Sequence, residues 1–343
     1  MGSRAMRMNA GEKTIDWLFR EQLRVDHKWS VKLPTGFPWW ADRHAQTIEI
    51  VGSESSEDGE TAYLISTRTD LLRNLKLTDK TAAGINALLM HFASMAGPVF
   101  DEKTGTLFLC SLVRVHESVR EWMSALISVA SVLQIAEARI MAPDLAKLFG
   151  AESAESGHPE NGERPVPDEL AEIVANLIAP VGRQPCKWSH GEFAEVVNDY
   201  MQAPPCLLAT NGGLKFTAEF PFGNAPGNHP IHGRESSLFR GSGCDPHPRY
   251  GNGLLLIQSF GASDLSEEEG VRLAFSLNTG ELTKNPAGYG FGSYCYNEGC
   301  IHFTSFIPNA AHRYGLLPNF YYAGASRAWY MSKVLKDADW ENM

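Results

Sequence analysis

The segment Gly105-Thr-Leu-Phe-Leu-Cys-Ser-Leu-Val113 returns 194 residues later as Gly299-Cys-Ile-His-Phe-Thr-Ser-Phe-Ile307. A glycine and a serine coincide in the two segments, and their apolar positions alternate in phase, which is the period of a β-strand. Each segment follows a second apolar run and a short turn-forming stretch, so each predicts the later strand of a β-hairpin. The repeat predicts that the chain contains two copies of one architecture.

The elements around these two hairpins also agree in order. Each half predicts an opening helix, three strands, a middle helix, the hairpin and a closing helix. In the second half, Ser189 with Glu192 and Ser266 with Glu269 form capping boxes that begin the first two helices. The sequence therefore predicts an α+β protein with two tandem α-β-β-β-α-β-β-α domains. Each domain is an antiparallel sheet with helices, and the two are related by a pseudo-twofold axis.

A length of 343 residues favours two domains over one. The strongest shift in composition is an acidic, Gly- and Pro-rich stretch after residue 150, which predicts a linker. Within it, Pro167 and the apolar spacing from Leu170 predict one short helix. The predicted boundaries are a tag remnant or disordered start at 1–11, domain 1 at 12–141, a linker with a short helix at 142–186, domain 2 at 187–336 and a tail at 337–343.

Composition excludes several classes of protein. Thirty Lys and Arg residues against forty Asp and Glu give a net charge of −10, which does not favour binding to nucleic acid or to anionic lipid. The sequence has no uninterrupted apolar run long enough to predict a membrane span, so we expect a cytoplasmic location. Six cysteines without a CxxC motif predict reduced thiols rather than a disulfide framework.

The segment with the clearest potential for chemistry lies in a long Gly-, Pro- and His-rich connection predicted over 222–251. His229 and His232 are followed by Cys244 and His247, a set of imidazole and thiolate ligands that suits a tetrahedral zinc site. The alternative is chance clustering of His and Cys in a polar loop. A structural zinc is favoured over a catalytic one, because no nearby carboxylate has a spacing typical of a general base.

Other motifs point to packing. No GxSxG motif occurs, and the glycines around Gly290 lack the spacing of a dinucleotide-binding loop. Phe320 and Tyr321 lie in the apolar stripe of the closing helix and are predicted to be buried. The sequence leaves open whether Trp39 and Trp40 are core residues or part of an exposed surface.

The element order, and above all the hairpin ending in Ser305-Phe-Ile-Pro-Asn309 before a long helix rich in small residues, resembles the type III secretion chaperone-like fold, including the YbjN family. The resemblance covers roughly 12–141 and 187–336, as a tandem pair in one chain. It implies a bacterial protein that holds segments of other proteins. The family offers no active-site motif to transfer. The chain departs from the family pattern in the 222–251 connection and in the interdomain linker.

Together these observations predict a non-enzymatic, chaperone-like or regulatory protein that binds a protein or peptide, with a basic partner favoured by the acidic surface. We predict no catalytic or cofactor-binding residues, and no cofactor other than zinc at the four ligands above. The expected assembly is a monomeric pseudo-dimer or a homo-oligomer. A further alternative for the function is a purely structural pseudo-dimer that assembles through its edges. The enzymatic alternative is a hydrolase or transferase that uses the 229–247 loop as a metal site.

Overall fold

A computed structural model of the chain describes residues 8–55, 59–91, 94–178, 185–200, 208–211, 213–221 and 236–335. The elements of the first half are α1 (Ala10–Trp17), β1 (Gly36–Trp39), β2 (Gln46–Ser55), β3 (Thr61–Arg73), α2 (Asp79–His91), β4 (Gly97–Asp101), β5 (Thr106–Val115), α3 (Arg120–Phe149), β6 (Glu152–Ser153) and α4 (Glu169–Ile178). Those of the second half are α5 (His190–Glu195), β7 (Leu208–Asn211), β8 (Lys215–Pro221), β9 (Ser236–Ser242), β10 (Gly253–Gly261), α6 (Glu267–Thr283), β11 (Ser293–Asn297), β12 (Cys300–Pro308) and α7 (Leu316–Val334).

The strands form two antiparallel sheets, so the predicted α+β class is confirmed. The first sheet has the order β1-β2-β3-β5-β4, with the short β6 paired to β3, and the second has the order β11-β12-β10-β9-β8-β7. In each sheet, the second strand of the predicted hairpin pairs with the strand that precedes the middle helix. β5 therefore pairs with β3, and β12 pairs with β10.

Both predicted hairpins are present, and the turn of each contains a glycine with positive φ. Gly105 and Gly299 have φ of +65° and +76°, a left-handed conformation that costs glycine little. The predicted capping boxes at Ser189 and Ser266 are present as well, each with its glutamate bonded back to the serine amide. These local signals fix where the hairpins and helices begin.

The long connection predicted over 222–251 is wrong, because it contains strand β9. This strand pairs with β8 on one side and β10 on the other. Its inward positions are Ser237, Phe239 and Gly241, so only one large apolar side chain marks its buried face. Gly241 is required there, since a Cβ atom would lie 2.2 Å from the Phe216 ring. The second half thus has four strands before its middle helix, where three were predicted.

Two predicted boundaries also differ from the structure. Helix α1 begins at Ala10 after the N-cap Asn9, inside the segment expected to be disordered. Helix α3 continues past residue 141 to Phe149 and ends at Gly150, whose φ is +64°. It continues because Ala142 and Leu145 still face the core, which outweighs the unfavourable Pro143. The described residues do not include 1–7 or the tail at 337–343.

The predicted linker is packed against the first half along much of its described length. β6 pairs with the end of β3, and Arg164 donates to the Trp40 carbonyl at 2.8 Å. The predicted short helix is present as α4, and Asp168 accepts hydrogen bonds from the amides at its start. The composition that predicted a flexible linker instead belongs to a chain segment held by turns and side-chain hydrogen bonds.

The two halves do not have separate cores. The largest apolar cluster joins Leu126 and Ala130 of α3 to Leu254 and Phe306 of the second sheet, and the next cluster also contains residues of both halves. Phe320 and Tyr321 are buried, as predicted, and Trp39 and Trp40 prove to be core residues with 1% and 6% exposure. We therefore expect the halves to unfold together.

The middle helices meet at the junction and each reaches the other half's edge strand. α6 lies against β4, and α2 lies against β11. Asn86 of α2 bonds both backbone groups of Tyr296 at 2.7 and 2.8 Å, and Asn278 of α6 bonds those of Tyr294 at 2.7 and 3.0 Å. The two amides therefore satisfy the outer side of β11, which would otherwise be an open sheet edge.

The helical stretch Glu117–Phe149 is long and apolar enough to cross a membrane by length and composition alone. Within the protein, 61% of its most apolar window is buried. That burial is typical of a core helix.

Candidate functional site

The structure places only part of the predicted zinc set. His229 and His232 lie outside the described residues, Cys244 is exposed, and His247 is buried. Among the described residues, no group of three or more His, Cys, Asp or Glu side chains is arranged to hold a metal ion. The zinc site therefore stays a prediction.

His247 has a clear local role in a turn. Its Nδ1 accepts hydrogen bonds from the amides of Arg249 and Tyr250 at 3.0 and 3.2 Å, and its backbone pairs with that of Gly251. Gly251 has φ of +67°, and Pro248 fixes the first bend. Because Nδ1 serves these amides, a metal on His247 would have to bind through Nε2.

The same turn occurs at His158. Its Nδ1 accepts from the amides of Glu160 and Asn161, both at 3.2 Å, and its backbone pairs with that of Gly162. The shared pattern His-Pro-x-x-Gly at 158–162 and 247–251 is the sequence signal for this turn. It shows that histidine serves as a turn-forming residue at two places in this chain.

The second turn brings a titratable cluster to the junction of the halves. The Tyr250 hydroxyl donates to Glu137 of α3, and the His247 ring stacks on Tyr250 with 4.4 Å between centroids. Glu137 is 5% exposed. Its burial raises the pKa of the carboxyl, against the smaller opposing effects of Ser94, Tyr250 and Arg249. A cavity of about 50 Å³ adjoins the cluster and is lined mainly by apolar side chains.

A second buried carboxylate lies within the second half. Glu281 accepts from Arg327 Nη2 at 2.6 Å and Nε at 3.2 Å, and from the Tyr294 hydroxyl at 2.6 Å. The Arg327 guanidinium also lies 3.5 Å from the centroid of the Phe303 ring. These bonds place the positive charge of Arg327 directly against the Glu281 carboxylate. Because Glu281 belongs to α6 and Arg327 to α7, the cluster is well suited to hold the two helices together.

One serine–histidine pair invites a catalytic interpretation. Ser259 and His302 lie opposite each other on β10 and β12, with Oγ and Nδ1 2.9 Å apart. Burial lowers the pKa of His302. However, β10 is paired on both sides at this point, so its amides are engaged in the ladder and cannot stabilise an oxyanion. The pair lacks this part of a hydrolase site.

Helix α4 and the residues just before it carry an exposed apolar surface. Val166 before the helix and Leu170, Ile173 and Leu177 within it are spaced by four, three and four residues, and they are 68%, 38%, 48% and 69% exposed. Ala171, Val174 and Ala175 pack on the core from the neighbouring face. Helix α4 is thus apolar on two faces and only one of them is covered, which is unusual for a surface helix.

A groove of about 390 Å³ runs between α3 and α4. Its apolar lining includes Val132, Ile135, Ala136, Ile140, Ala171 and Ala175. Its polar lining includes Asp42 and Glu172, both within ion-pair distance of Arg139. Ile140, 57% exposed, extends the apolar surface from the groove to the outside of α3. We call this groove and the exposed apolar residues of α4 the α3–α4 face.

A larger groove of about 490 Å³ lies beside α1, but its rim carries charges of both signs. Glu12 closes the capping box of α1, and Asp16 pairs with Arg20. Because charged side chains of both signs line this groove, it shows less preference for one type of partner than the α3–α4 face.

Comparison with known proteins adds no assignment. No protein-family model matches the chain, and no match was found among curated proteins or solved structures. The resemblance to chaperone-like domains therefore rests on element order and the repeated hairpin.

Proposed function

We propose that this is a non-enzymatic, cytoplasmic protein-binding protein, built from two tandem chaperone-like domains related by a pseudo-twofold axis, and that its α3–α4 face holds an amphipathic helix of a basic partner protein. The observation that carries the proposal is the exposed apolar stripe on α4. A helix that is apolar on both faces is normally covered on both.

The hairpin register supports the duplication. Cys110 faces Gly97 in the first hairpin, and Thr304 faces Ser293 in the second. Cys110 and Thr304 are equivalent in the repeated segment, so the two hairpins pair alike, apart from the longer first turn. The reciprocal contacts of α2 with β11 and of α6 with β4 are what a pseudo-twofold relation requires.

The shape of the α3–α4 face favours a helix as its occupant. Leu170, Ile173 and Leu177 follow the spacing by which one helix packs along another. The neighbouring groove between α3 and α4 is lined by small and branched apolar side chains, which allow a second helix to approach closely. Recognition of this kind is helix-in-groove binding, in which apolar anchors supply most of the affinity.

Charge selects the partner. Helix α4 carries Glu169 and Glu172 and has no basic residue. Across the groove, Asp42 and Glu172 share the single guanidinium of Arg139. The rim is therefore net negative, and an approaching helix with lysine or arginine beside its apolar stripe is favoured over an acidic one.

The test uses two model peptides, one amphipathic helix built of leucine and lysine and one with glutamate in place of each lysine. Fluorescence anisotropy with the full chain should show binding of the lysine peptide at least about tenfold tighter than the glutamate peptide, a difference of about 1.4 kcal/mol. Ile173→Glu should weaken binding of the lysine peptide by about tenfold or more, because it places a charge in the apolar stripe.

Val51→Glu is the matched control, since Val51 is 47% exposed on β2. This variant should bind the lysine peptide like the unmodified protein. Equal affinity for the two peptides, or equal losses from Ile173→Glu and Val51→Glu, would show that the α3–α4 face is not the binding site.

A further inference from the structure

Helix α7 presents two large aromatic side chains to solvent on one face. Tyr322 and Trp329 are 53% and 59% exposed. Ser326 and Lys333 are exposed as well, and the spacing of the four residues by four, three and four places them on one side of the helix. The Lys333 ammonium lies 3.4 Å from the centroid of the Trp329 ring. We call these four residues the α7 stripe, which is an aromatic surface with one positive charge.

The buried sides of α3 and α7 match at a separation of 194 residues, which is also the separation of the two hairpin segments. Three pairs of buried residues show the match: Met123 and Leu317, Leu126 and Phe320, and Ile127 and Tyr321. The two closing helices therefore face their cores with equivalent positions, and their outer sides can be compared residue by residue.

The same separation relates the α7 stripe to the side of α3 that packs against α4. The equivalent pairs are Val132 and Ser326, Ile135 and Trp329, and Arg139 and Lys333. Val132 and Ile135 line the groove between α3 and α4 and are buried. Arg139 donates to Glu172 of α4 at 2.6 Å. The α7 stripe thus occupies positions that pack against a helix in the first half of the chain.

The charge of α7 favours an acidic helix as its covering partner. Helix α7 contains no Asp or Glu, and it has two basic residues. Arg327 is buried and paired with Glu281, whereas Lys333 is exposed. A carboxylate on the covering helix is therefore favoured beside Lys333, as Glu172 is beside Arg139 in the first half.

We infer, on the proposal that the two halves are repeats, that the α7 stripe docks a helix of a partner protein that is similar to α4, with small apolar residues against Tyr322 and Trp329 and a carboxylate beside Lys333. Tryptophan and tyrosine are typical anchors of protein interfaces. Small side chains let the backbone of the partner helix approach the two rings, as Ala171 and Ala175 do in the groove at α3. This second face selects an acidic helix, whereas the α3–α4 face selects a basic one.

The test uses a helix-stabilised peptide with the sequence of residues 167–178, and a second peptide that carries Glu172→Lys. Fluorescence anisotropy with the full chain should show binding of the first peptide at least about tenfold tighter than binding of the second. In the protein, Trp329→Ser should weaken binding of the first peptide by about tenfold or more. Lys333→Glu should reverse the preference between the two peptides, because the charge beside the peptide is then negative.

Trp17→Ser is the matched control, since Trp17 is an exposed tryptophan of α1. This variant should bind the first peptide like the unmodified protein. Binding that neither Trp329→Ser nor Lys333→Glu changes would place the peptide elsewhere, for example on α3 in exchange for α4, and would overturn the inference. Absence of peptide binding would also overturn it, and a self-association that Trp329→Ser abolishes would then assign the α7 stripe to a second copy of the chain.

The result can be separated from that of the proposed function. Ile173→Glu alters the outer side of α4, so it should weaken binding of the leucine–lysine peptide and leave binding of the 167–178 peptide unchanged. Trp329→Ser should have the converse effect. A failure at one face therefore leaves the result at the other face readable.

Discussion

Glu281 and Glu137 are buried carboxylates that each accept a hydrogen bond from a tyrosine, but their charges are balanced differently. Glu281 is paired through two bonds with the buried guanidinium of Arg327. Glu137 accepts a hydrogen bond from the Tyr250 hydroxyl, and the charge of Arg249 lowers its pKa less than the hydrogen bonds from Ser94 and Tyr250 do. The first cluster is an ion pair inside the second half, and the second is a tyrosine–carboxyl hydrogen bond across the junction, without a paired cation at the carboxyl.

The difference shows why burial alone does not define a functional carboxylate. An ion pair compensates the desolvation of Glu281, whereas desolvation of Glu137 favours its protonated form. Substitutions that remove one partner at a time should therefore have unequal effects at the two sites.

The largest effect is expected from Arg327→Met. This change leaves Glu281 buried without its cation, so the free energy of unfolding should fall by about 3–5 kcal/mol, measured by urea denaturation. Arg272→Met is the matched control. Arg272 pairs with Asp79 at the surface, and its loss should leave the denaturation midpoint nearly unchanged. Equal effects of the two variants would contradict the role of the Glu281 cluster.

The next effect is expected from Tyr250→Phe. Removing the hydroxyl takes the principal described donor from Glu137, and the free energy of unfolding should fall by about 1.5–3 kcal/mol. Tyr294→Phe should cost less, because Glu281 keeps both bonds from Arg327. The comparison fails if Tyr294→Phe is the more destabilising of the two variants in urea.

A smaller, pH-dependent effect should separate Glu137→Gln from the unmodified protein. The pKa of Glu137 is raised above its ordinary value of 4.5 in the folded protein, so the native state holds this proton more tightly than the unfolded chain. Its contribution to stability is fully present below about pH 4.5 and is lost as the pH rises through the folded pKa, by about 1.4 kcal/mol for each pH unit that separates the folded pKa from the unfolded one.

In Glu137→Gln this loss is absent. The free energy of unfolding of the variant, relative to the unmodified protein, should therefore increase as the pH is raised from 4.5. A difference that is constant with pH would mean that the carboxyl titrates alike in the folded and unfolded chains.

The smallest effect is expected when both partners at the junction become apolar. Glu137→Met combined with Tyr250→Phe removes the buried carboxyl together with the hydroxyl that donates to it, so the double variant should be more stable than Tyr250→Phe alone and close to the unmodified protein. Thermal unfolding of the three proteins checks this order. An additive loss in the double variant would show that the two groups do not act as a pair.

Much of the fold could be predicted because its signals are local. The alternation in Gly105–Val113 and Gly299–Ile307 predicted β5 and β12, and the capping boxes predicted the starts of α5 and α6. β9 was missed, because its inward side chains are small and its partners are separate segments of the chain. A strand of this kind is identified by the strands that it pairs with in the sheet.

The candidate site was less predictable. The apolar spacing of α4 was visible in the sequence, but which of its faces is buried depends on α3, which the linker composition does not reveal. His247 was expected to be a zinc ligand, and the structure shows the additional turn role that its Nδ1 performs. The recurrence of His-Pro-x-x-Gly is the sequence signal that identifies that role.

By itself, the sequence determined the α+β class, the two hairpins and the order of most elements, because period, turn glycines and caps act over a few residues. Only the tertiary structure decided that the halves share their cores, that Tyr250 meets Glu137, and that one apolar face of α4 is left exposed. Each of these depends on side chains brought together from segments far apart along the chain, and neither local period nor composition specifies such contacts.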